Sequence, residues 1–250
     1  MDRKLRGMRK LVSVLVILCM LTSLAAVTGP VFAAEEDMGL QGASTEGINI
    51  NSTYVLVSQN TSFSDTDGKW YKDVVKEMAD RRIISGIGND LFAGDREITR
   101  AEFAAIMIRA LGLPAKGMSE FSDVATDSWY NQAVAAAAQY GIVYGKGANR
   151  FDPLAKITRE EAMQIVFNAS KLVPINGVTE AVDSKSYSDY KAKSQWATEA
   201  VDFNLSNGLI VGSNGKINPK ANITRGEAAT VILKLLQKAN LVNSNFSPLE

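Results

Sequence analysis

Hydrophobic residues recur at helical spacing in three similar stretches of this 250-residue chain. Each stretch begins a few residues after a tryptophan, and its apolar residues fall one, three or four positions apart, as on one face of an amphipathic helix. The apolar residues are Val74, Val75 and Met78, then Ala133, Val134 and Ala137, then Ala200, Val201 and Leu205. This pattern predicts three short helices.

A second helix is predicted after each of these, beyond a loop rich in Gly, Asn and Pro. The loops read GIGNDLFAGDRE, GKGANRFDPLAK and GSNGKINPKAN, and each contains one large apolar residue that we expect to anchor the loop in the core. The expected anchors are Phe92, Phe151 and Ile217. Gly141 and Gly208 fall where a left-handed residue would end the first helix, whereas the first stretch has Arg82 there.

The second helices all begin with one five-residue pattern. It occurs as ITRAE at 98–102, ITREE at 157–161 and ITRGE at 223–227. Its Thr and Glu form a capping box, in which each side chain accepts the backbone N–H of the other residue. The predicted structural capping residues are Thr99, Glu102, Thr158, Glu161, Thr224 and Glu227.

The middle residue of this pattern is always an arginine, namely Arg100, Arg159 or Arg225. It falls in the first helical turn, where the macrodipole disfavours a cation. Either the arginines pair with nearby acids, or they bind an anion. A bound carboxylate would resolve the conflict in all three cases, because its charge suits the free N–H groups of a helix start and the guanidinium fork can hold both of its oxygens.

Internal spacing shows that the chain consists of three copies of one unit. Sixteen residues separate Trp70 from Gly86, and the same number separates the equivalent pairs in the second and third copies. A unit of about fifty residues with two helices is too small to bury a good core alone. We therefore expect one mainly α assembly of three helix-loop-helix repeats with pseudo-threefold character around a central helical bundle.

The predicted organisation follows from these repeats. It consists of a signal peptide at 1–33, an N-terminal linker at 34–60 with a short strand at 54–57, repeat 1 at 61–113, repeat 2 at 119–172, a linker at 173–186, repeat 3 at 187–238 and a tail at 239–250. The signal peptide is indicated by a basic start, an apolar run from Leu11 to about Val27 and a small-residue end. An uncleaved N-terminal anchor is the alternative.

Composition narrows the possible chemistry. The chain has no histidine, and its single cysteine, Cys19, lies within the apolar run of the leader. Ser-His-Asp and Cys-His catalysis and the usual zinc sites are thereby excluded, and we expect neither a cofactor nor a metal. Without residues 1–33 the chain keeps 22 of its 27 basic and 26 of its 27 acidic side chains. This weakly acidic balance argues against nucleic acid or an anionic membrane as a partner of the mature form.

The combined motifs resemble those of the S-layer homology domain family. They are an F-S-D or Y-S-D opening, a tryptophan at the first helix, a glycine after it, a Gly-rich loop and the I-T-R-x-E helix start. The resemblance implies a three-pronged spindle with grooves between neighbouring repeats. It also implies a secreted, non-catalytic protein of the bacterial cell wall or S-layer, whose grooves bind the pyruvylated secondary cell-wall polymer.

The family's ligand-binding residues carry over by motif. They correspond to Arg100, Arg159 and Arg225, to Trp70, Trp129 and Trp196, to Asp65, Asp123 and Asp189, and to Gly86, Gly145 and Gly212. Judged from the residues alone, the tryptophans could equally pack in the core, and the aspartates are expected to cap the first helix or a turn. Repeat 3 departs most from the pattern, with Tyr187 at its opening and Gly226 in its capping turn, so its groove is expected to be the weakest.

Three other possibilities stay open. The protein could be a self-assembling structural component of an S-layer, since repeats favour lattices. It could be a cell-wall hydrolase that uses a carboxylate pair, although no such pair stands out beyond the repeated structural acids. Residues 34–60 could also recruit an unknown protein partner.

Overall fold

The computed structural model describes residues 61–173, 175 and 182–242. This part of the chain contains six α-helices and no β-strand, which confirms the prediction of a mainly α fold. The helices are α1 (Lys72–Asp80), α2 (Arg100–Ala110), α3 (Asn131–Gln139), α4 (Arg159–Ser170), α5 (Thr198–Ser206) and α6 (Arg225–Lys238). None of these helices is long and apolar enough to cross a membrane.

Each repeat contributes two of the helices, joined by its Gly-rich loop, and short 3-10 helices complete the described secondary structure. The 3-10 helices span Ser64–Thr66, Ser184–Ser186, Tyr190–Ala192 and Gln195–Ala197. The expectations of a signal peptide, of a strand at 54–57 and of a protein partner for 34–60 lie outside the described residues.

Helices α2, α4 and α6 begin as the sequence predicts. Thr99 accepts the N–H of Glu102 through its side chain, and the Glu102 carboxylate accepts the N–H of Thr99 at 2.8 Å. The same reciprocal bonds are present for Thr158 with Glu161 and for Thr224 with Glu227. All three capping boxes are confirmed.

Helices α1, α3 and α5 end through a left-handed residue. Gly141 has φ of 68° and Gly208 has φ of 61°, as their positions predict. Arg82, which stands in the equivalent place after α1, adopts φ of 57° in spite of its side chain. Its backbone N–H donates to the carbonyl of Ala79, as that of Gly141 donates to Ala138, so the termination geometry is the same.

The second helix of each repeat packs against the first helix of another. Helix α2 contacts α3, α4 contacts α5, and α6 contacts α1. Helices α2, α4 and α6 also contact one another. The loop residues Phe92, Phe151 and Ile217 are fully buried, which confirms that they anchor the loops in the core.

Three isoleucines link the starts of α2, α4 and α6 through their backbones. The N–H of Ile98 donates to Ile223 O at 3.1 Å, that of Ile157 to Ile98 O at 3.1 Å, and that of Ile223 to Ile157 O at 3.0 Å. All three side chains are buried. Each repeat therefore supplies one donor and one acceptor to a closed ring of hydrogen bonds, which brings the three arginine-bearing helix starts together.

Candidate ligand-binding grooves

The helix starts that carry the arginines are already saturated with hydrogen bonds. In α2 the N–H groups of Arg100 and Ala101 donate to the carbonyls of Ala155 and Pro153, both at 2.9 Å. The capping box occupies the N–H groups of Thr99 and Glu102. Equivalent bonds occupy the first N–H groups of α4 and α6. The expectation that a ligand would find free N–H groups here is wrong, because the loop of a neighbouring repeat already supplies the acceptors.

The arginine side chain reaches into that same neighbouring loop. Arg100 donates from Nε to Phe151 O at 2.9 Å and from Nη2 to Tyr144 O at 3.4 Å. Its Nη1 lies 3.3 Å from Oε1 of Glu161, the capping-box acid of repeat 2. The guanidinium carbon also lies 4.7 Å from the centre of the Phe151 ring. A cation at the helix start is thus stabilised by contacts with the next repeat.

The other two arginines repeat this arrangement in a cycle. Arg159 donates to Ile217 O at 2.9 Å and Val211 O at 3.2 Å, and it pairs with Glu227 at 2.9 Å. Arg225 closes the cycle onto repeat 1. It donates to Phe92 O and to Ser85 O, each at 3.0 Å, and its Nη1 lies 3.6 Å from Glu102.

Burial and charge act in opposite directions on these ion pairs. Burial lowers the pKa of Arg100, while Glu161 raises it; the net shift is downward. Burial raises the pKa of Glu161. The N–H of Thr158, the Lys146 ammonium and the Arg100 guanidinium together lower this pKa by more than burial raises it, so the net shift is downward. The downward shift keeps Glu161 ionised at neutral pH, and an arginine is always protonated there, so the pair keeps its opposite charges.

Two cavities open beside these arginines, each lined by residues of all three repeats. Groove A, of about 230 Å³, is lined by Ser85, Gly86, Ile87, Glu102, Arg109, Trp129 and Arg225 among others. Groove B, of about 530 Å³, is lined by Arg100, Tyr144, Gly145, Lys146, Glu161, Asn168 and Trp196 among others. In each, one repeat supplies the loop and the glutamate, a second supplies the arginine and a third supplies the tryptophan.

The tryptophans lie on the surface, which excludes the alternative that they pack in the core. Trp70, Trp129 and Trp196 are 59%, 66% and 55% exposed. Trp129 lines groove A and Trp196 lines groove B. An exposed indole beside a charged groove offers a flat apolar face to a ligand.

The aspartates had been expected to cap the first helix or a turn. They instead hold the Gly-rich loops. Asp65 accepts the N–H groups of Phe92 and Ala93 at 2.8 and 2.7 Å. Asp123 and Asp189 hold the equivalent loop residues of repeats 2 and 3 in the same way. Phe92 in turn gives its carbonyl to Arg225. The aspartate therefore positions the loop backbone on which the arginine rests.

The glycines after the first helices leave room for the opening aromatic residue. A Cβ on Gly86 would lie 2.6 Å from the Phe63 ring and 2.7 Å from Leu91 O. A Cβ on Gly145 would be equally close to Phe121 and to Arg150 O, and one on Gly212 would collide with Tyr187. Each glycine thus allows the close approach that forms the groove wall.

Some groove residues were not among the predicted site residues. Tyr144, 66% exposed, stands beside Gly145 in groove B, where repeat 1 has Ser85. Lys146 lines the same groove and pairs with Glu161 at 3.0 Å. Arg109, near the end of α2, lines groove A. Tyr144 and Lys146 could have been found by aligning the repeats, because they flank the glycine that all three repeats share. Arg109 could not, because its counterparts are Asn168 and Lys234 and the position is not repeated.

The sequence pattern of the S-layer homology domain matches the chain three times, at residues 62–104, 120–163 and 186–229. The chain belongs to this family. It is 35% identical over 207 residues to an amylopullulanase of Thermoanaerobacterium thermosulfurigenes, a match that covers 80% of this chain and 11% of that enzyme.

Two further relatives give a similar result. The chain is 34% identical over 204 residues to the surface-layer 125 kDa protein of Lysinibacillus sphaericus, covering 79% of this chain and 17% of that protein. It is 34% identical over 187 residues to exoglucanase XynX of Acetivibrio thermocellus, a match that covers 74% of this chain and 17% of that protein. The chain therefore spans less than a fifth of the length of these relatives, whose names include both enzymes and a surface-layer protein.

Proposed function

We propose that this chain is a secreted, non-catalytic module that anchors to the bacterial cell wall or S-layer by binding a pyruvylated secondary cell-wall polymer. Its three repeats would form a pseudo-threefold, three-pronged assembly with one groove at each junction. The cyclic helix contacts and the closed ring of isoleucine hydrogen bonds support this architecture. The similarity of this chain to a small part of a surface-layer protein, an amylopullulanase and an exoglucanase supports a common anchoring role.

The observation that carries the proposal is the lining of groove B. Arg100, Tyr144 and Trp196 border one cavity of about 530 Å³. A guanidinium has five N–H donors, and the three protein contacts of Arg100 leave two of them for a carboxylate in the groove. The exposed rings of Tyr144 and Trp196 would pack on the C–H face of a sugar. A sugar with an attached carboxylate combines both features.

The remaining predicted site residues support this binding in different ways. Gly86 and Gly145 form groove walls, and Asp65 and Asp123 hold the loops beneath the arginines. For repeat 3, we propose that Arg159 forms the equivalent site together with Trp70, Asp189 and Gly212. Binding at several grooves along one polymer would raise the total affinity through avidity.

Pelleting with purified walls tests the proposal. The chain should sediment with walls whose secondary polymer carries pyruvyl acetals and should stay in solution after those groups are removed by mild acid. Trp129→Ala combined with Trp196→Ala should greatly reduce sedimentation, because it removes the ring from two grooves and leaves only the third, and because both side chains are exposed, so that their loss leaves the core intact. Leu154→Ala, which removes a similarly exposed side chain, is the matched control. Undiminished sedimentation after pyruvyl removal would contradict the proposed ligand.

A second candidate function is that of an S-layer structural component that self-assembles. It is favoured by the similarity to the surface-layer 125 kDa protein, although the match covers 17% of that protein. Light scattering of the wall-free chain separates the two possibilities. An apparent molar mass that grows with protein concentration, in the parent and in the double tryptophan variant alike, would support self-assembly. A molar mass that stays at the monomer value would support anchoring alone.

A further inference from the structure

Grooves A and B arrange their charges differently although they are built from equivalent elements. Groove B contains Arg100 and Lys146 beside Glu161, and Asn168 occupies the position equivalent to Arg109. Groove A contains Arg225 and Arg109 beside Glu102. The two cavities therefore place their second cation on different walls.

The glutamate of groove A is largely occupied by a residue that repeat 2 lacks. Arg96 bonds Glu102 through both Nη atoms, with the shorter contact at 2.5 Å. The same carboxylate lies 3.6 Å from Nη1 of Arg225. In groove B the position of Arg96 is taken by Ala155, and Arg100 lies closer to its own glutamate, at 3.3 Å. Glu161 also binds a second cation, Lys146, at 3.0 Å, so each glutamate serves two basic side chains. Arg225 nevertheless has the longer contact with its glutamate, and the cation that shares this glutamate is a second guanidinium, that of Arg96.

Arg109 adds a second guanidinium to groove A. Among the described residues no carboxylate forms an ion pair with Arg109, and its side chain is exposed in the cavity wall. Burial lowers its pKa. Its place in the last turn of α2 favours a cation there, and the same cavity is also lined by Arg225.

The charges that act on the pKa of the two groove arginines are also different. Around Arg100, every neighbouring charge that shifts its pKa is an acid, with Glu161 first. Around Arg225, burial lowers the pKa most, Glu102 and to a smaller extent Asp65 raise it, and Arg96 and Arg109 lower it. Arg225 therefore has two further guanidinium groups near it, those of Arg96 and Arg109, and a bound anion would offset their mutual repulsion.

We propose that groove A binds a doubly charged anionic group, such as a phosphate monoester on a sugar, between Arg225 and Arg109, whereas groove B takes a singly charged carboxylate. This rests on the proposed function, in that both cavities are sites for an acidic glycan. The two grooves would then select different acidic groups of the wall polymer, and Arg109 would be the residue that sets the preference.

The three tryptophans of the chain allow each groove to be observed separately. Trp129 reports on groove A and Trp196 on groove B through their indole N–H signals in two-dimensional nitrogen-proton NMR, assigned with single Trp→Phe variants. The probes are N-acetylglucosamine 1-phosphate, which is a dianion at pH 7.5, its singly charged methyl phosphodiester, and pyruvylated methyl N-acetylmannosaminide.

The dianion should bind at the Trp129 signal about tenfold more tightly than the phosphodiester, as one added charge-assisted hydrogen bond would give. Arg109→Asn, which copies the residue of groove B, should remove most of that preference and leave the Trp196 titration unchanged. Lys116→Asn, an exposed charge deletion in the loop after α2, should change neither.

Equal binding of the two phosphates at Trp129, or a preference that survives Arg109→Asn, would overturn the proposal. If the pyruvylated sugar still shifts Trp196 in that case, the proposed function stands and only the second anion site fails. If none of the three probes shifts any indole signal, both fail.

Discussion

Arg159 of repeat 2 pairs with Glu227 of repeat 3, with Nη1 2.9 Å from Oε1. The same Glu227 carboxylate accepts the N–H of Thr224 at 2.9 Å and so completes the capping box of α6. One acid therefore serves both the start of a helix and the junction between two repeats. The pairs of Arg100 with Glu161 and of Arg225 with Glu102 couple the other junctions in the same way.

Replacement of Arg159 by alanine should destabilise the fold. It removes the ion pair with Glu227 and the hydrogen bonds to Val211 O and Ile217 O, and it leaves those carbonyls without a donor. We expect a loss of about 2–3 kcal/mol in the free energy of unfolding, measured by urea titration with far-UV circular dichroism.

Arg150→Ala is the matched control for this change. Arg150 pairs with Asp152 at 2.9 Å and with Asp123 at 3.6 Å, but its side chain is 59% exposed, so its loss should cost less than about 1 kcal/mol. Equal losses for the two variants would contradict a structural role for the arginine ring. Because Arg159→Ala is expected to destabilise the fold, a loss of wall binding by this variant alone would not prove that Arg159 contacts the ligand.

Asp123→Asn should weaken groove B and leave groove A unchanged. Asp123 accepts the N–H groups of Phe151 and Asp152, both at 2.8 Å, and Phe151 gives its carbonyl to Arg100. An asparagine side chain keeps one acceptor oxygen and places an N–H₂ group against the other backbone donor. The loop should loosen, so that ligand affinity reported by Trp196 falls severalfold while that reported by Trp129 does not change. An equal fall at both signals would indicate global unfolding instead.

Local signals in the sequence predicted much of this fold. The capping boxes, the left-handed helix ends and the buried loop anchors each depend on residues within a few positions, so their patterns could be recognised directly. The arginine contacts could not, because Arg100 bonds Phe151 and Arg225 bonds Phe92, far away in sequence. Loops that cover the helix starts have no local pattern, and for that reason the N–H groups were wrongly expected to be free.

Arg82→Gly should stabilise the protein. Arg82 is exposed and has φ of 57°, where a Cβ costs about 1–2 kcal/mol, and the flexibility of glycine in the unfolded chain offsets about 0.5–1 kcal/mol of that cost. A net gain of about 0.5–1 kcal/mol is expected from thermal or urea unfolding. Gly141→Ala, at the equivalent end of α3, should change stability in the opposite direction. A loss of stability in Arg82→Gly would show that its side chain matters more than its backbone strain.

Low pH should weaken the junctions between repeats. Glu102 and Glu161 both have a folded-state pKa below the ordinary value of 4.5. Burial raises each pKa, but the pairing of Glu102 with Arg96, and that of Glu161 with Lys146 and Arg100, contributes to a larger downward shift. A carboxylate with a lowered folded-state pKa contributes stability that is present above its unfolded pKa and is lost as the pH falls through the folded pKa.

We therefore expect the free energy of unfolding to stay level between about pH 6 and pH 8, because the chain has no histidine, and to fall below about pH 4.5. Glu161→Gln should lower stability at pH 7 and flatten the decline below pH 4.5, since the group that takes up the proton is gone. Glu120→Gln removes an exposed acid outside the grooves and should leave the profile unchanged. Urea unfolding at closely spaced pH values measures both profiles, and a Glu161→Gln curve parallel to that of the parent would mean that the junction acids do not govern acid stability.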